Sequence, residues 1–311
     1  MLMNDFFHRP VSSKPLAFFR AVWGLFLIYY YLKIFWLLDI YYAEDGLRDV
    51  SLIFSEPPVM KWSFFYWVDH PTIFFYAIYV VGLISALGTL LGCYTRLCSV
   101  LTFFCFVSLV TPAQWGTNSA DQLTKILSFL FMITGLAGYT ARHYSLDCKY
   151  RTESNSSDTI PVWAYRLFQV QLCSIYFFGA ISKMAYPVWH NGQAMQIVLT
   201  QTDSWMRFDT GLTDYPAITA LLTTAALMFE LVLFPLLVWF CRTRLWILGL
   251  GVAFHLSIII TMKVFIFTEV MILLYLCFLR EKEVEVCVES IKKAAARVGA
   301  FCSRKENQKT A

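Results

Sequence analysis

Charge is what this 311-residue chain has least of: Asp, Glu, Lys and Arg make up 15% of it. Soluble domains carry roughly 25%, so the shortfall excludes an ordinary water-facing surface. The formal net charge of +4 is too small to suggest a nucleic-acid partner. The nine cysteines form no C-x-x-C pair and no metal-ligand spacing, so no metal is expected. Most of them lie inside apolar segments, where a buried free thiol is the expected state. Cys93 and Cys98, which flank a short turn, are the pair placed to bridge. Internal repeats, low-complexity stretches and strand-period alternation are absent as well. What remains is apolar: 58% hydrophobic and 18% aromatic residues, with a mean hydropathy of +0.58. That is the composition of an integral membrane protein, with the lipid bilayer as its first partner.

A transmembrane helix needs about 20 apolar residues, and helices are the spanning structure this pattern allows. About eight segments qualify, near 16–38, 72–92, 97–112, 122–139, 163–184, 217–240, 245–262 and 264–280. The third is short, and the last two meet in a tight turn at Met262 and Lys263. The first is too long for a signal-peptide core, and no small-residue cleavage site follows it, so it reads as a retained span. The fold class is an all-α polytopic bundle over residues 1–280. A charged tail over 281–311 reads as a helix on the membrane surface.

Lysine and arginine concentrate in alternate loops. Seventeen lie on the side that holds both termini and four on the other, at Arg48, Lys61, Arg207 and Lys263. The positive-inside rule then places both termini in the cytosol of a plasma or inner membrane. The opposite side carries two larger loops, 39–71 and 185–216. Both are rich in tryptophan and read as interfacial lids.

A few ionisable residues fall inside the spans, where they are costly unless they snorkel, pair or lose charge. Lys183 closes the fifth span on the outer side. It is either a snorkelling cation or a base, since desolvation favours the neutral amine. Arg20 either snorkels to phosphate or pairs with an acid on a neighbouring helix. Glu230, halfway along the sixth span, is protonated, paired or part of a polar site. His255 in the seventh can meet it across adjacent helices. Asp121 and Lys125 form an i,i+4 pair, or Asn118 and Asp121 face the same outer cavity as Lys183.

Several stretches, in order, carry a family resemblance. They are Phe19-Arg20 with Gly24, then Ala86-Leu-Gly-Thr-Leu-Leu-Gly-Cys-Tyr-Thr-Arg96, and His143-Tyr-Ser-Leu-Asp147. They continue with Ile160-Pro-Val-Trp-Ala-Tyr165, Tyr176-Phe-Phe-Gly-Ala-Ile-Ser-Lys-Met184 with Trp189 and Gly192, and Phe254-His255. Across roughly 16–280 the chain resembles the horizontally transferred transmembrane (HTTM) domain family, the membrane domain of vitamin K-dependent gamma-glutamyl carboxylase. The resemblance implies that Lys183 is the catalytic base toward a reduced vitamin K-type quinone. It also implies O2 and CO2 as co-reactants and an exported peptide or protein, or a small molecule, as substrate at the extracytoplasmic face. Trp115, Asn118 and Asp121 would then bind the cofactor, with His255, Glu230 and Arg20 as a supporting network. The chain departs from the carboxylase at Trp115-Gly-Thr-Asn-Ser-Ala-Asp121, which lacks a histidine, and at Ser182, where the carboxylase has a second lysine. The alternative is a non-catalytic membrane partner in the maturation of, or immunity to, an exported peptide.

Overall fold

The computed structural model describes residues 2–38, 40, 71–110, 118–150, 158–201, 206–264 and 266–309. The principal helices are α1 (Leu2–His8), α2 (Lys14–Ile34), α3 (Pro71–Leu91), α4 (Thr95–Val110), α5 (Ser119–Leu136) and α6 (Trp163–Met184). They continue with α7 (Pro216–Met228), α8 (Arg244–Thr261), α9 (Phe267–Leu274) and α10 (Glu281–Lys309). Among the described residues four helices are long and apolar enough to cross a membrane: Lys14–Ile34, Ile73–Leu91, Pro216–Leu237 and Arg244–Thr261. Among the described residues the fold is all-α apart from one small ribbon. In it β1 (Pro10–Ser12) pairs antiparallel with β2 (Thr159–Pro161), Val11 opposite Ile160. The sequence pattern predicts no strand, because three-residue strands are too short to show an alternation. The ribbon sets the start of α2 beside the start of α6, where the Tyr165 hydroxyl accepts from the Leu16 N–H at 3.0 Å.

Helix α2 is the central element. Of its most apolar stretch 61% is buried, against 28% for α8. Its aromatic side chains interlock with α5 and α6: Trp23 stacks on Phe131 at 5.7 Å and Phe19 meets Phe168 edge-on at 5.1 Å. Such pairs add about 0.5–1.5 kcal/mol each beyond the area they bury. Against α3 the approach is closer still. A Cβ at Gly24 would lie 2.4 Å from the Leu90 nitrogen, so only glycine lets the two helices touch there.

Among the described residues Arg20 makes no ion pair, and it does not reach the surface. It is fully buried, and its guanidinium donates to the carbonyls of Thr89 (2.9 Å), Leu90 (3.4 Å) and Tyr144. The last carbonyls of a helix have no partner within it and sit at the negative end of its dipole. Arg20 therefore caps α3, and the expected acid is replaced by main-chain oxygens. Gly92, at φ +67°, makes room for it, since a Cβ there would lie 2.1 Å from the Arg20 Nη1. Asp147 completes the corner by accepting from the Tyr94 and Thr95 N–H groups, both at 2.8 Å, which caps the start of α4. Cys93 and Cys98 are both free thiols, and the Cys98 thiol donates to the Cys93 carbonyl at 3.2 Å. The motif around Gly92 is thus a packed helix–helix corner.

Gly24→Ala is expected to lower the thermal midpoint in detergent by an overpacking cost of about 1–3 kcal/mol. Gly179→Ala is the control, since a Cβ at Gly179 meets no atom within 4 Å, and its midpoint should hold or rise, alanine being the better helix former. Equal effects of the two substitutions would contradict the close approach at Gly24.

Candidate functional site

Helix α6 carries the first part of the site. Tyr176 and Lys183 are seven residues apart, two turns of helix, so they lie on one face. Lys183 ends the helix and keeps 33% of its side chain exposed. Its ammonium forms a salt bridge with Glu230, whose side chain is 8% exposed. The Trp189 ring lies 5.2 Å from the same nitrogen, a cation–π contact. Trp189 belongs to a short helix, Pro187–His190, that folds back beyond α6. The next helix, Ala194–Thr200, is fastened to α7 through the Met195 N–H to the Thr223 hydroxyl (3.0 Å).

Glu230 reaches Lys183 from a π-helical turn, Phe229–Leu233, between α7 and the short helix Phe234–Leu237. The cause is local. Pro235 has no N–H, and its ring crowds the carbonyl four residues earlier, so the turn before it widens. A widened turn changes the direction in which its side chains point, and such turns are frequent at functional sites.

The second part of the site lies deeper. The Tyr176 hydroxyl is 2.8 Å from the His255 Nε2 on α8 and forms a short hydrogen bond with the Tyr275 hydroxyl, in the 3-10 turn Tyr275–Phe278. All three side chains are buried. Tyr275 packs against α8 where Gly251 leaves space; a Cβ there would be 2.5 Å from its hydroxyl. The His255 Nδ1 is buried and has no hydrogen-bond partner among the described residues. Phe229 and Phe234 pack on the Tyr176 ring at 5.6 and 4.4 Å. They link this polar cluster to the π turn that bears Glu230.

The expected residues are partly brought together. Lys183, Glu230 and His255 gather around α6, but Glu230 pairs with Lys183, and His255 bonds Tyr176. The expected Glu230–His255 contact is therefore replaced by two separate ones. The π turn accounts for the difference, because a regular helix would aim Glu230 elsewhere. Asn118 and Asp121 share the Lys183 end of the bundle but hold each other. The Asn118 side chain accepts from the Ala120 and Asp121 N–H groups, and Asp121 accepts from the Asn118 N–H at 2.9 Å. The other Asp121 oxygen accepts from the Tyr30 hydroxyl at 2.5 Å. This is a capping box tied to α2, and Asp121 makes no ion pair with Lys125. Arg20 stands apart from the cluster, because it caps α3 at the other end of α2. Trp115 and most of the 39–71 lid lie outside the described residues. Among the described residues no group of three or more His, Cys, Asp or Glu side chains could hold a metal ion. Sequence reasoning did not single out Tyr176 or Tyr275. The i,i+7 spacing of Tyr176 and Lys183 was the available signal.

The sequence model of the HTTM domain matches residues 8–282, nearly the whole chain. The chain belongs to the HTTM domain family. No curated protein and no solved structure matches it. The HTTM assignment and the apolar helices together make it an integral membrane protein.

Removing one partner of the Lys183–Glu230 pair leaves the other charge unmet in a mostly apolar surrounding, a loss of about 3–5 kcal/mol. Lys183→Met and Glu230→Leu should each lower the thermal midpoint. The double substitution should recover most of the loss. Additive losses in the double variant would show that the two groups do not interact.

Proposed function

We propose that this HTTM protein is a carboxylase-like membrane enzyme in which Lys183 acts as a base toward a reduced quinone. The observation that supports this most is the Lys183–Glu230 pair, half open to the surface on one side and backed by the Tyr176, His255 and Tyr275 cluster on the other. An ammonium cannot accept a proton. The carboxylate beside it gives a route to the neutral amine, because the proton can pass from Nζ to the Glu230 oxygen. Inside an apolar bundle this exchange replaces two desolvated charges with two neutral groups, which cuts its cost relative to water. Lys183 is then a general base whose proton is held nearby by Glu230.

The residues present fit a reduced quinone. Gly179, one turn before Lys183 on the same face, leaves open space where a side chain would stand, and Trp189 supplies an aromatic face against the ammonium. A ring seated in that space against Trp189 would have its hydroxyl toward Nζ. When bound, a vitamin K-type hydroquinone supplies, with O2, the oxidative step that generates a base strong enough to remove a carbon-bound proton before CO2 adds. The chain's own part is to bind and orient the ring, accept the hydroxyl proton at Lys183 and store the displaced one at Glu230. Asn118 and Asp121 stand in this proposal as a rigid wall of the outer cavity, and His255 as a positioning residue that acts through Tyr176.

The proposed topology is about eight spans with both termini cytosolic. It puts Lys183 on the extracytoplasmic side of a plasma or inner membrane, where an exported peptide or a small substrate can reach it. One observation favours a second reading. The salt bridge is closed, as it would be in a purely structural staple, and that suits a non-catalytic partner in the maturation of or immunity to an exported peptide.

Lys183→Arg separates the two readings. Arginine keeps the charge pair but does not give up its proton. The thermal midpoint should stay close to that of the unchanged protein, while oxygen uptake with reduced quinone should fall by about 10²-fold or more. Undiminished uptake in this variant would remove Lys183 as the base. No uptake with any quinone would favour the non-catalytic reading.

A further inference from the structure

A cavity of about 630 Å³ opens at the end of the bundle opposite Lys183. It lies between the starts of α2 and α6, the connection from Val238 to Arg244, and the chain from Cys277 to Glu281. Arg166 on its wall precedes Lys183 by seventeen residues of α6, about 25 Å along the axis. The cavity therefore belongs to neither the base nor its network.

Four guanidinium groups line it: Arg9, Arg166, Arg244 and Arg280. Arg244 is 6% exposed. It donates to the Phe278 carbonyl and pairs with Glu283, yet among the described residues its buried Nε has no partner. Arg166 donates to Gln169 at 2.7 Å and lies over the Trp239 ring at 5.1 Å. Arg9 is exposed, and no hydrogen bond or ion pair holds its guanidinium among the described residues. It sits near enough to Arg166 for the two like charges to repel. Arg280 donates to the Cys241 sulfur at 2.8 Å. One carboxylate, Glu281, is on the wall, and Lys14 engages it at 2.9 Å. Positive charge is thus left over around the cavity, and a buried N–H waits for an acceptor. Beside the arginines run Val162, Val238, Trp239 and Phe278, an apolar wall.

We propose that this cavity binds a phosphate group, presented either by the headgroup of an anionic phospholipid or by free phosphate. Arginine suits the role because its planar fork donates two parallel hydrogen bonds to phosphate oxygens. The bound anion would relieve the repulsion between Arg9 and Arg166 and give the Arg244 Nε a partner. The apolar wall gives a lipid chain a path that a free ion does not use.

Cys241 lines the cavity, is exposed and has its thiol pKa lowered by the Arg280 hydrogen bond, so it can report occupancy. The full-length protein would be reconstituted in phosphatidylcholine nanodiscs, with phosphatidylglycerol added in one arm and inorganic phosphate in another. Alkylation of Cys241 by N-ethylmaleimide would be followed by peptide mass spectrometry, with exposed Cys148, outside the cavity, as the internal control. We expect protection of Cys241 but not Cys148. Arg9→Gln should raise the concentration for half-protection about tenfold, the loss of one charge-assisted hydrogen bond. Protection by phosphatidylglycerol alone assigns the site to a lipid headgroup, and protection by phosphate as well assigns it to a soluble anion. No protection in either arm, equal protection of Cys148, or unchanged protection in Arg9→Gln overturns the proposal.

Discussion

A cation held inside an apolar helical bundle must be met by an opposite charge or by hydrogen bonds, and this requirement organises the molecule. Three positions meet it in three ways. Arg20 donates through both terminal nitrogens to the main-chain carbonyls at the end of α3 and the Tyr144 carbonyl, with its Nε left over. Arg244 divides its donors between the Phe278 carbonyl and Glu283, with one nitrogen left over. Lys183 has a single carboxylate partner and an open side. The first is sealed from the surface and serves to lock helices together. The second is almost closed and borders a cavity. Of these three only the third is a lysine, the cation that gives up a proton most readily, and it keeps an open side.

The two ends of the bundle are built differently for that reason. At the end near Arg20, glycines at 24 and 92 let helix backbones and a guanidinium approach within ordinary contact, and a long-range cap from Asp147 starts α4. Rigidity is the result. At the other end, α6 finishes in an exposed amine, and the facing helix widens into a π turn ahead of Pro235. A widened turn forgoes regular hydrogen bonding, a feature that recurs where side chains must be aimed. The aromatic contacts of Tyr176 with Phe229 and Phe234 tie that turn to the buried hydroxyl pair. Catalytic geometry in the proposed reading thus depends on packing that starts two turns below the amine.

Much of this was legible in the sequence, and the misses have physical causes. A lysine, a glutamate and a histidine stood out because each is expensive in an apolar run. Their pairing did not, because it depends on how three helices cross and on the direction given to Glu230 by the π turn. The segment Glu230-Leu-Val-Leu-Phe-Pro235 contained the cause, a proline five residues beyond a buried acid. Arg20 was read with the wrong partner because unpaired helix-end carbonyls leave no trace in composition. Asn118 and Asp121, three residues apart at a helix start, carried the spacing of a capping box, yet the cavity reading drew attention away from it. The ribbon of β1 and β2 was too short to have a period. The family, by contrast, was readable from motif order alone, and the HTTM match over residues 8–282 agrees with it.

The central claim is that Glu230 stores the proton that Lys183 must lose before it can act. Infrared difference spectroscopy of the reconstituted protein, with and without reduced quinone, reads this directly. The account predicts a protonated carboxyl band that appears on adding reduced quinone and disappears in Glu230→Gln. A spectrum without that band, or a band that persists in Glu230→Gln, would contradict it.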